Sequence, residues 1–457
     1  MKVCGIFFAI IGILTCFNLP LLADDSQTME QESLEELLSG FEDETTSVTR
    51  ETKVKATPSM LELHGAYVLS SAYNYAHDAP DEGDADYRGF SRLRGLLELE
   101  LDMRFPGDWK ARISGHGFYD AIYSVRGRDE YTNDVLHTYE SELEFDEVYL
   151  QGPMSDKLDL KVGRQIIVWG KSDNIRITDI LNPLDNREPG MVDIKYLRLP
   201  VTMTRLDYHF GNWDLTGILI HEPRFSKRPV FGSDFFPLPS SQPPEKEPAY
   251  NLENTQYAAA LSGIFSGWDI AFYAADMFDD KWHKEGNLRR HKRIKMLGTA
   301  LDIAKGNWLF KAEAAYLTNL RYSALPYENK TRYDVLAGVE YRGFSDTLIT
   351  LEIANRHIVG FEEEMGNPPD YAKKDEFQSA LRLSRDFLNE TLQLNYLLLL
   401  FDPNGSGGGY QRFWAEYDLN DSLKLTAGLV SYISGDTSPF HAIGDNDRIF
   451  AELRYSF

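Results

Sequence analysis

The residues of this 457-residue chain that could do chemistry are mostly charged side chains set at every second position. Residues 91–105 show the pattern most clearly: in an extended strand, their apolar side chains fall on one face and their charged side chains on the other. Because positive and negative side chains lie on the same face, the pattern predicts paired charges around a water-filled passage, with no simple preference for anions or cations. The charged face consists of Arg92, Arg94, Glu98, Glu100, Asp102 and Arg104.

The same alternation recurs along the chain and supplies more charged side chains for the wall of such a passage. A structural interpretation stands beside the functional one, in which these charges only hydrate and brace the wall. The further candidates are Glu140, Glu142, Glu144, Lys311, Glu313, Glu340, Arg342, Glu352, Arg356, Arg412, Glu416, Arg448, Glu452 and Arg454.

Enzyme motifs are absent from the sequence. It has no His-Glu-x-x-His or Gly-x-Ser-x-Gly motif and no phosphate-binding or dinucleotide-binding glycine pattern. His116 would need a serine and an aspartate to form a hydrolase triad, and we prefer to interpret it as a lone wall histidine. Both cysteines, Cys4 and Cys16, fall within the predicted signal peptide. We therefore predict no enzymatic activity, no cofactor and no bound metal.

One segment departs from the strand pattern. Residues 169–196 are too apolar for an exposed loop, and Asn182-Pro183 prevents a continuous strand. We predict that the segment folds into the passage, packs on the inner wall and narrows it. An extracellular cap without a gating role is the alternative. The constriction candidates in and beside the segment are Arg164, Trp169, Asp173, Arg176, Asp179, Asp185, Arg187 and Glu188.

These side chains need a framework of many strands. Counting the segments of period two from about residue 60 onward predicts 18 strands, and 16 would also fit. Short turns alternate with longer connections, as periplasmic turns and extracellular loops do in outer-membrane barrels. We therefore predict an all-β, antiparallel up-and-down transmembrane barrel over residues 58–457. The longer connections include 125–138, 169–196, 222–254, 277–292 and 319–331.

The longest connection, residues 222–254, contains seven prolines and several aromatic side chains. Proline cannot donate a hydrogen bond to a neighbouring strand, so this segment does not extend the sheet. A surface lid, a receptor epitope and an irregular solvated loop all remain open for it.

The first 57 residues differ from the rest. Residues 1–23 predict a cleaved signal peptide, which directs the chain to the outer membrane of a Gram-negative cell. Residues 24–57 predict an acidic periplasmic leader with a short amphipathic helix, and a disordered spacer is the alternative. No later apolar run is long enough for a membrane helix, and the net charge of −24 argues against nucleic acid as a partner.

The last strand carries the sharpest signal. From residue 448 onward apolar side chains alternate with polar ones, and the pattern ends on Tyr455 and Phe457. It resembles the closing strand by which the barrel-assembly machinery recognises outer-membrane proteins. We expect that machinery and outer-membrane lipid as partners.

A family resemblance rests on two elements of residues 163–188, the Trp-Gly-x-x-Asp motif that begins at Trp169 and the Asn-Pro-Leu-Asp motif that begins at Asn182. With them the chain resembles an uncharacterised family of bacterial outer-membrane barrels of the domain-of-unknown-function class. Genes of that family often neighbour periplasmic lipoproteins and resistance-nodulation-division exporters of hydrophobic compounds. The resemblance thus implies those partners and amphiphilic or lipid-like solutes. Pro189-Gly190 stands where the family usually has a more apolar stretch, and alginate-export-type barrels are the second choice.

The predicted function is the passage of a small or amphiphilic solute, gated by the inward-folded residues 169–196 and coupled to a periplasmic or inner-membrane exporter. Two alternatives stay open: a general diffusion porin, and a closed barrel with a structural or binding role. Aliphatic side chains packed across the passage would favour the closed barrel.

Overall fold

A computed structural model of the chain describes residues 60–80, 84–192, 196–238 and 240–457. The predicted signal peptide, residues 1–23, and the predicted acidic leader, residues 24–57, lie outside the described residues. No helix in the described part is long and apolar enough to cross a membrane.

The described strands close into one barrel of 18 strands. Each strand pairs antiparallel with the next, and β1 also pairs with β18, so the sheet has no free edge. The predicted up-and-down barrel is therefore confirmed. The strands are β1 (Leu61–Asn74), β2 (Gly89–Phe105), β3 (Trp109–Asp120), β4 (Ser141–Ser155), β5 (Leu158–Gln165), β6 (Val201–Phe210), β7 (Trp213–Ile220), β8 (Gln256–Phe265), β9 (Trp268–Glu285), β10 (Leu288–Lys305), β11 (Trp308–Tyr322), β12 (Leu325–Phe344), β13 (Thr347–Val359), β14 (Asp375–Phe387), β15 (Leu392–Phe401), β16 (Gly408–Asn420), β17 (Leu423–Ile433) and β18 (Arg448–Ser456).

Burial along the strands is inverted relative to a soluble protein. On β13, Leu351 and Ile353 are 40% and 52% exposed, whereas Glu352 between them is fully buried. Strand alternation puts the two apolar side chains on the outer surface and the carboxylate inside. An outer surface of this kind suits lipid, so the barrel is an outer-membrane barrel with a polar interior.

Aromatic side chains ring the barrel at the end that carries the short turns. Phe265 stacks on Trp268 with ring centroids 4.4 Å apart, and Trp308 lies 4.3 Å from Tyr341. Aromatic rings concentrate at the lipid–water interface, so this ring marks the periplasmic boundary.

The closing strand of the sequence prediction sits at this boundary. Tyr455 lies opposite Tyr67 of β1, and Phe457 exchanges two backbone hydrogen bonds of 2.9 Å with Gly65. The Phe457 ring covers Gly65 so closely that a Cβ atom there would come within 2.5 Å of it. Phe457 thus helps to join the first and the last strand of the barrel.

Two connections predicted as long loops, 277–292 and 319–331, are instead the ends of long hairpins. β9 and β10 continue to a turn at residues 286–287, and β11 and β12 continue to a turn at residues 323–324. The prediction was wrong because these stretches are too charged for strands in lipid. Outside the lipid a strand needs no apolar face, and cross-strand ion pairs can support it.

The connection between β3 and β4 also differs from the prediction. β3 ends at Asp120, not at residue 124, because a helix begins there. The Thr132 side chain caps a second helix by accepting a hydrogen bond from the Val135 N–H at 3.2 Å. Glu140 ends that helix and is not the strand residue we predicted. The helices are α1 (Ile122–Arg126) and α2 (Asn133–Tyr139), with short 3-10 helices at Arg128–Glu130, Leu252–Asn254 and Glu363–Gly366.

Candidate functional site

Residues 166–192, called the inward segment below, lie inside the barrel against its inner wall. Trp169, Ile175 and Leu181 are buried and belong to one apolar cluster with inward side chains of β6 to β14. The Trp169 ring stacks on the Tyr273 ring of β9 with centroids 4.8 Å apart. The segment is apolar because it covers this part of the wall, and the burial of both surfaces holds it there.

The first of two buried carboxylates that hold the segment is Glu313 of β11. One of its oxygens accepts the N–H groups of Lys171 and Ser172 at 2.7 and 2.8 Å. The other accepts the N–H and the hydroxyl of Thr178 at 3.1 and 2.7 Å. A Cβ atom at Gly170, where φ is +83°, would come within 2.6 Å of this carboxylate. The glycine of the Trp-Gly-x-x-Asp motif is therefore required by close approach and by backbone conformation.

The second carboxylate is Glu352 of β13. It accepts the N–H groups of Asp173, Asn174 and Ile175 at 2.8 to 3.1 Å and the hydroxyl of Ser172 at 2.9 Å. Successive N–H groups that converge in this way form an anion-binding concavity, and here the anion is the protein's own side chain.

Cationic wall residues complete this attachment. Lys311 of β11 donates to the Asp173 carboxylate at 2.5 Å, and Arg356 of β13 donates to the Arg176 carbonyl at 3.1 Å. The predicted constriction candidates Asp173 and Arg176 thus both lie at the wall.

The Asn-Pro-Leu-Asp motif braces the base of the segment. The Asn182 side chain accepts from the Ile167 N–H at 2.9 Å and donates to the Leu199 carbonyl at 2.8 Å. Asp179 accepts from Arg176 at 3.0 Å and from Arg198 at 2.9 Å. These groups are nearly buried, so their hydrogen bonds satisfy polar atoms that would otherwise destabilise the packed segment.

The end of the segment reaches a different wall, formed by β16, β17 and β2. Glu188 forms ion pairs with Arg92 and Arg94 of β2, and the Tyr432 hydroxyl of β17 donates to the Pro189 carbonyl at 2.5 Å. Burial would raise the pKa of Glu188, but Arg92 and Arg94 outweigh it and hold that pKa well below its usual range. Glu188 is therefore a carboxylate at neutral pH.

A second segment folds inward from the proline-rich loop. Its tip, residues 230–237, carries Asp234, which pairs with Arg448 of β18 at 2.8 Å and also contacts His77. The neighbouring Phe235 is 2% exposed and lies 4.4 Å below the Arg448 guanidinium. Burial would raise the pKa of Asp234, but the cationic neighbours leave it lowered. A surface lid, a receptor epitope and an irregular solvated loop were all open for residues 222–254, and the sequence pattern did not single out Asp234.

A polar cluster on β3 and β4 tethers both inward-reaching segments. Glu142 accepts from Arg187 at 3.0 Å and from Lys227 at 2.9 Å, and Glu144 accepts from Lys227 at 2.5 Å. Among the described residues, His116, Glu142 and Glu144 are close enough to share a metal ion. Since cationic side chains already pair with both carboxylates, we assign the cluster to an ion-pair network.

A row of arginines crosses the inner wall formed by β14 to β18. Arg382 lies opposite Leu397, Leu397 opposite Arg412, and Arg412 opposite Val430. Val430 in turn faces Arg448, so the three guanidinium groups occur on the alternate strands β14, β16 and β18. Arg92 of β2 lies on the other side of β1, opposite Ala72, two residues along β1 from Asn74, which lies opposite Arg448.

Aromatic side chains frame the arginine row, which we define as Arg382, Arg412, Arg448 and Arg92. The Arg412 guanidinium lies 4.6 Å from the Trp414 ring, and the Arg382 guanidinium lies 5.7 Å from the same ring. We missed Arg382 in the sequence, although it alternates in phase with the buried Ala380.

Other predicted wall residues lie apart from the inward segment. Glu98 pairs with Arg454 at 2.6 Å, and Asp102 and Glu100 pair with Arg112, so they brace the periplasmic half of the wall. Arg164 of β5 pairs with Glu144 at 2.7 Å, and within the inward segment Asp185 pairs with Arg187.

The sequence from residue 41 to residue 457 matches the family model described as protein of unknown function DUF1302. The chain belongs to the DUF1302 family. This match confirms the predicted resemblance to a domain-of-unknown-function family and does not support the second choice, alginate-export-type barrels. No curated protein matches the sequence. The link to exporters remains a prediction.

Solved structures share the fold of this DUF1302 barrel. OccK9 (OpdG) of Pseudomonas aeruginosa has a TM-score of 0.52 and 11% identity over 87% of this chain and 97% of that one. OccAB2 of Acinetobacter baumannii has a TM-score of 0.51 and 12% identity over 87% and 98%. Pseudomonas aeruginosa OpdK with vanillate has a TM-score of 0.50 and 11% identity over 87% and 98%. At these identities the likeness concerns the fold, which is that of outer-membrane porins.

Proposed function

We propose that this protein is an outer-membrane channel for small organic anions, and that the inward segment sets its aperture. The observation that carries the proposal is the arginine row, which runs across the wall from β14 to β2. Guanidinium groups remain charged at any physiological pH and bind carboxylates through two parallel hydrogen bonds. An anion that enters the barrel would therefore find successive binding positions along one wall.

The aromatic frame of the row favours anions that carry a ring or an apolar body. The Trp414 ring is 3% exposed and packs near the guanidinium groups of both Arg382 and Arg412, so a ring-bearing carboxylate would approach guanidinium groups that an indole supports. OpdK, which shares the fold, was solved with vanillate, an aromatic carboxylate. This supports aromatic acids as the first solutes to test.

Gating by the inward segment belongs to the same proposal. Its attachment consists of hydrogen bonds to Glu313 and Glu352 and of apolar contacts, all of which can break without breaking the barrel. Loops with such separable contacts are the parts of a protein that move at low cost. We infer that a shift of this segment widens the passage.

An enzymatic role has no support in the arrangement of His116. The ring contacts the carboxylates of Asp146 at 2.9 Å and Glu142 at 3.3 Å, which differs from the serine–histidine–aspartate sequence of a hydrolase. The histidine fits a wall ion pair, and the proposed function is transport without chemistry.

A closed binding barrel is the second candidate, and one observation favours it. Besides the cluster beneath Trp169, a second apolar cluster joins Met191 and Phe235 to Val430 and Tyr432 at the extracellular side. Apolar contacts that cross from loop to wall would seal the barrel if they never opened. A general diffusion porin lacks such support, because an open pore has no need for two packed inward segments.

Coupling to a periplasmic lipoprotein or a resistance-nodulation-division exporter stays a separate prediction. It depends on the acidic leader, residues 24–57, which lies outside the described residues.

The test is the reversal potential of purified protein in a planar bilayer under a salt gradient, with potassium chloride and then potassium benzoate. We expect anion preference in both salts, and a clear loss of that preference in the Arg382→Gln and Arg412→Gln variants. Arg104→Gln is the matched control, because Arg104 pairs with Glu62 near the periplasmic mouth, outside the row. A cation preference, or equal behaviour of all three variants, would contradict the proposal. Absence of current under every condition would favour the closed barrel.

A further inference from the structure

Two carboxylates from inward-reaching segments already occupy the arginines at the extracellular end of the row. Glu188 pairs with Arg92 and lies 3.5 Å from Arg94, and Asp234 pairs with Arg448 at 2.8 Å. The two sites flank β1, because Arg448 lies opposite Asn74 and Arg92 lies opposite Ala72. Both segments therefore place a negative charge on one patch of the wall.

The patch is buried and is lined by hydrogen-bond donors. The Arg448 side chain is 3% exposed and the Asp234 side chain 9%, and the Nε atom of Arg92 is buried with no hydrogen-bond partner among the described residues. Asn74 donates at 3.3 Å to the Oδ2 atom of Asp234, the same oxygen that Arg448 contacts, and His77 contacts the Oδ1 atom. The site thus offers guanidinium and amide donors to whichever carboxylate it holds.

These ion pairs also fix the apolar cluster above the passage. Met191 follows Glu188 by three residues and Phe235 follows Asp234 directly, and both are buried against Val430. Release of the two carboxylates would therefore free both segments from the same wall.

We propose that Glu188 and Asp234 act as tethered substitutes for the carboxylate of the transported solute, and that an organic anion opens the passage by displacing them from Arg92, Arg94 and Arg448. The inference rests on the proposed function and deepens it. It assigns the extracellular binding site, its ligand class and a way in which the ligand opens its own path.

Electrostatics explains why displacement would need an anion. Withdrawal of Glu188 or Asp234 without replacement leaves buried guanidinium groups unpaired, which is strongly unfavourable. A solute carboxylate satisfies the same donors, so the exchange conserves the number of buried ion pairs. The freed side chains Glu188 and Asp234 can then be hydrated with their segments.

A cysteine placed at position 191 can report release without any need for current. The natural cysteines occur only in the predicted signal peptide, so Met191→Cys introduces a single thiol into the mature chain, and residue 191 is 4% exposed. The experiment measures the rate of maleimide labelling of the mature protein, purified in detergent, with benzoate or with uncharged benzamide. The same measurement is repeated on a protein that combines Met191→Cys with Glu188→Gln and Asp234→Asn.

We expect benzoate to accelerate labelling several-fold and benzamide to have no effect. Glu188→Gln with Asp234→Asn should give fast labelling that benzoate no longer changes. Glu245→Gln is the matched control, because Glu245 belongs to the same loop and pairs with Arg289 of β10 at 3.0 Å, away from the row.

Equal labelling with benzoate and benzamide would overturn the proposal, and so would slow labelling in the double variant. The labelling experiment tests the displacement of Glu188 and Asp234 independently of the channel function. Labelling that responds to benzoate in a protein that never conducts would uphold the anion site and refute the channel, whereas anion-selective current without any response of residue 191 would do the reverse.

Discussion

At the scale of single residues, two carboxylates of the barrel wall occupy the anion-binding concavities formed by the backbone of the inward segment. Glu313 and Glu352 each accept three backbone N–H groups and one hydroxyl from a segment that has no regular secondary structure. Backbone N–H groups away from water need an acceptor, and these two side chains provide it. The irregular course of the segment is thereby made stable.

Glu352→Gln should release this attachment. The amide replaces one acceptor oxygen by a donor that faces N–H groups, so we expect a loss of about 1–3 kcal/mol in the free energy that holds the segment. Faster tryptic cleavage within residues 166–192 of the folded barrel measures this loss. Glu416→Gln is the control, because Glu416 is another inward carboxylate but contacts Trp414 and Lys424. Equal cleavage of the two variants would show that Glu352 does not anchor the segment.

At the scale of elements, the sequence predicted the strands from their period of two, but it predicted the course of the loops only in part. Residues that face lipid must be apolar and their neighbours need not be, so each membrane strand is recognisable in the sequence by its alternation. The extracellular parts of β9 and β10 were not predicted, because outside the membrane a strand no longer needs an apolar residue at every second position. The inward course of residues 169–196 was predicted from their excess of aliphatic side chains, whereas the wall they would reach was not.

The long β9–β10 hairpin makes a topological prediction. A peptide epitope inserted after Gly286, at its turn, should bind antibody on intact cells, because the hairpin extends beyond the extracellular membrane surface. Insertion after Gly211, in the short turn between β6 and β7, is the matched control and should bind only after the outer membrane is opened. The two glycines have nearly the same conformation, with φ of +64° and +63°. The reverse pattern of binding would invert the orientation of the barrel.

At the scale of the whole molecule, the barrel brings together residues that sequence patterns cannot associate. Asp234 and Arg448 are 214 residues apart, and their contact depends on the course of a proline-rich loop across the mouth. Alternation identified Arg448, Arg412 and Arg92 one by one. It could not align them, because their alignment follows from the register of every strand between them. The sequence therefore predicted a wall with charges of both signs. The row of arginines became visible only when the strands were paired in their register.

The central claim is that the inward segment limits an anion-favouring passage through this barrel. The most direct test is single-channel conductance in a planar bilayer, comparing the intact chain with one that lacks residues 172–188. We predict small or infrequent currents for the intact chain and a several-fold larger conductance after the deletion, with the barrel still closed by β1 and β18. Equal conductance of the two proteins would contradict the claim, since the segment would then lie outside the path of the ions.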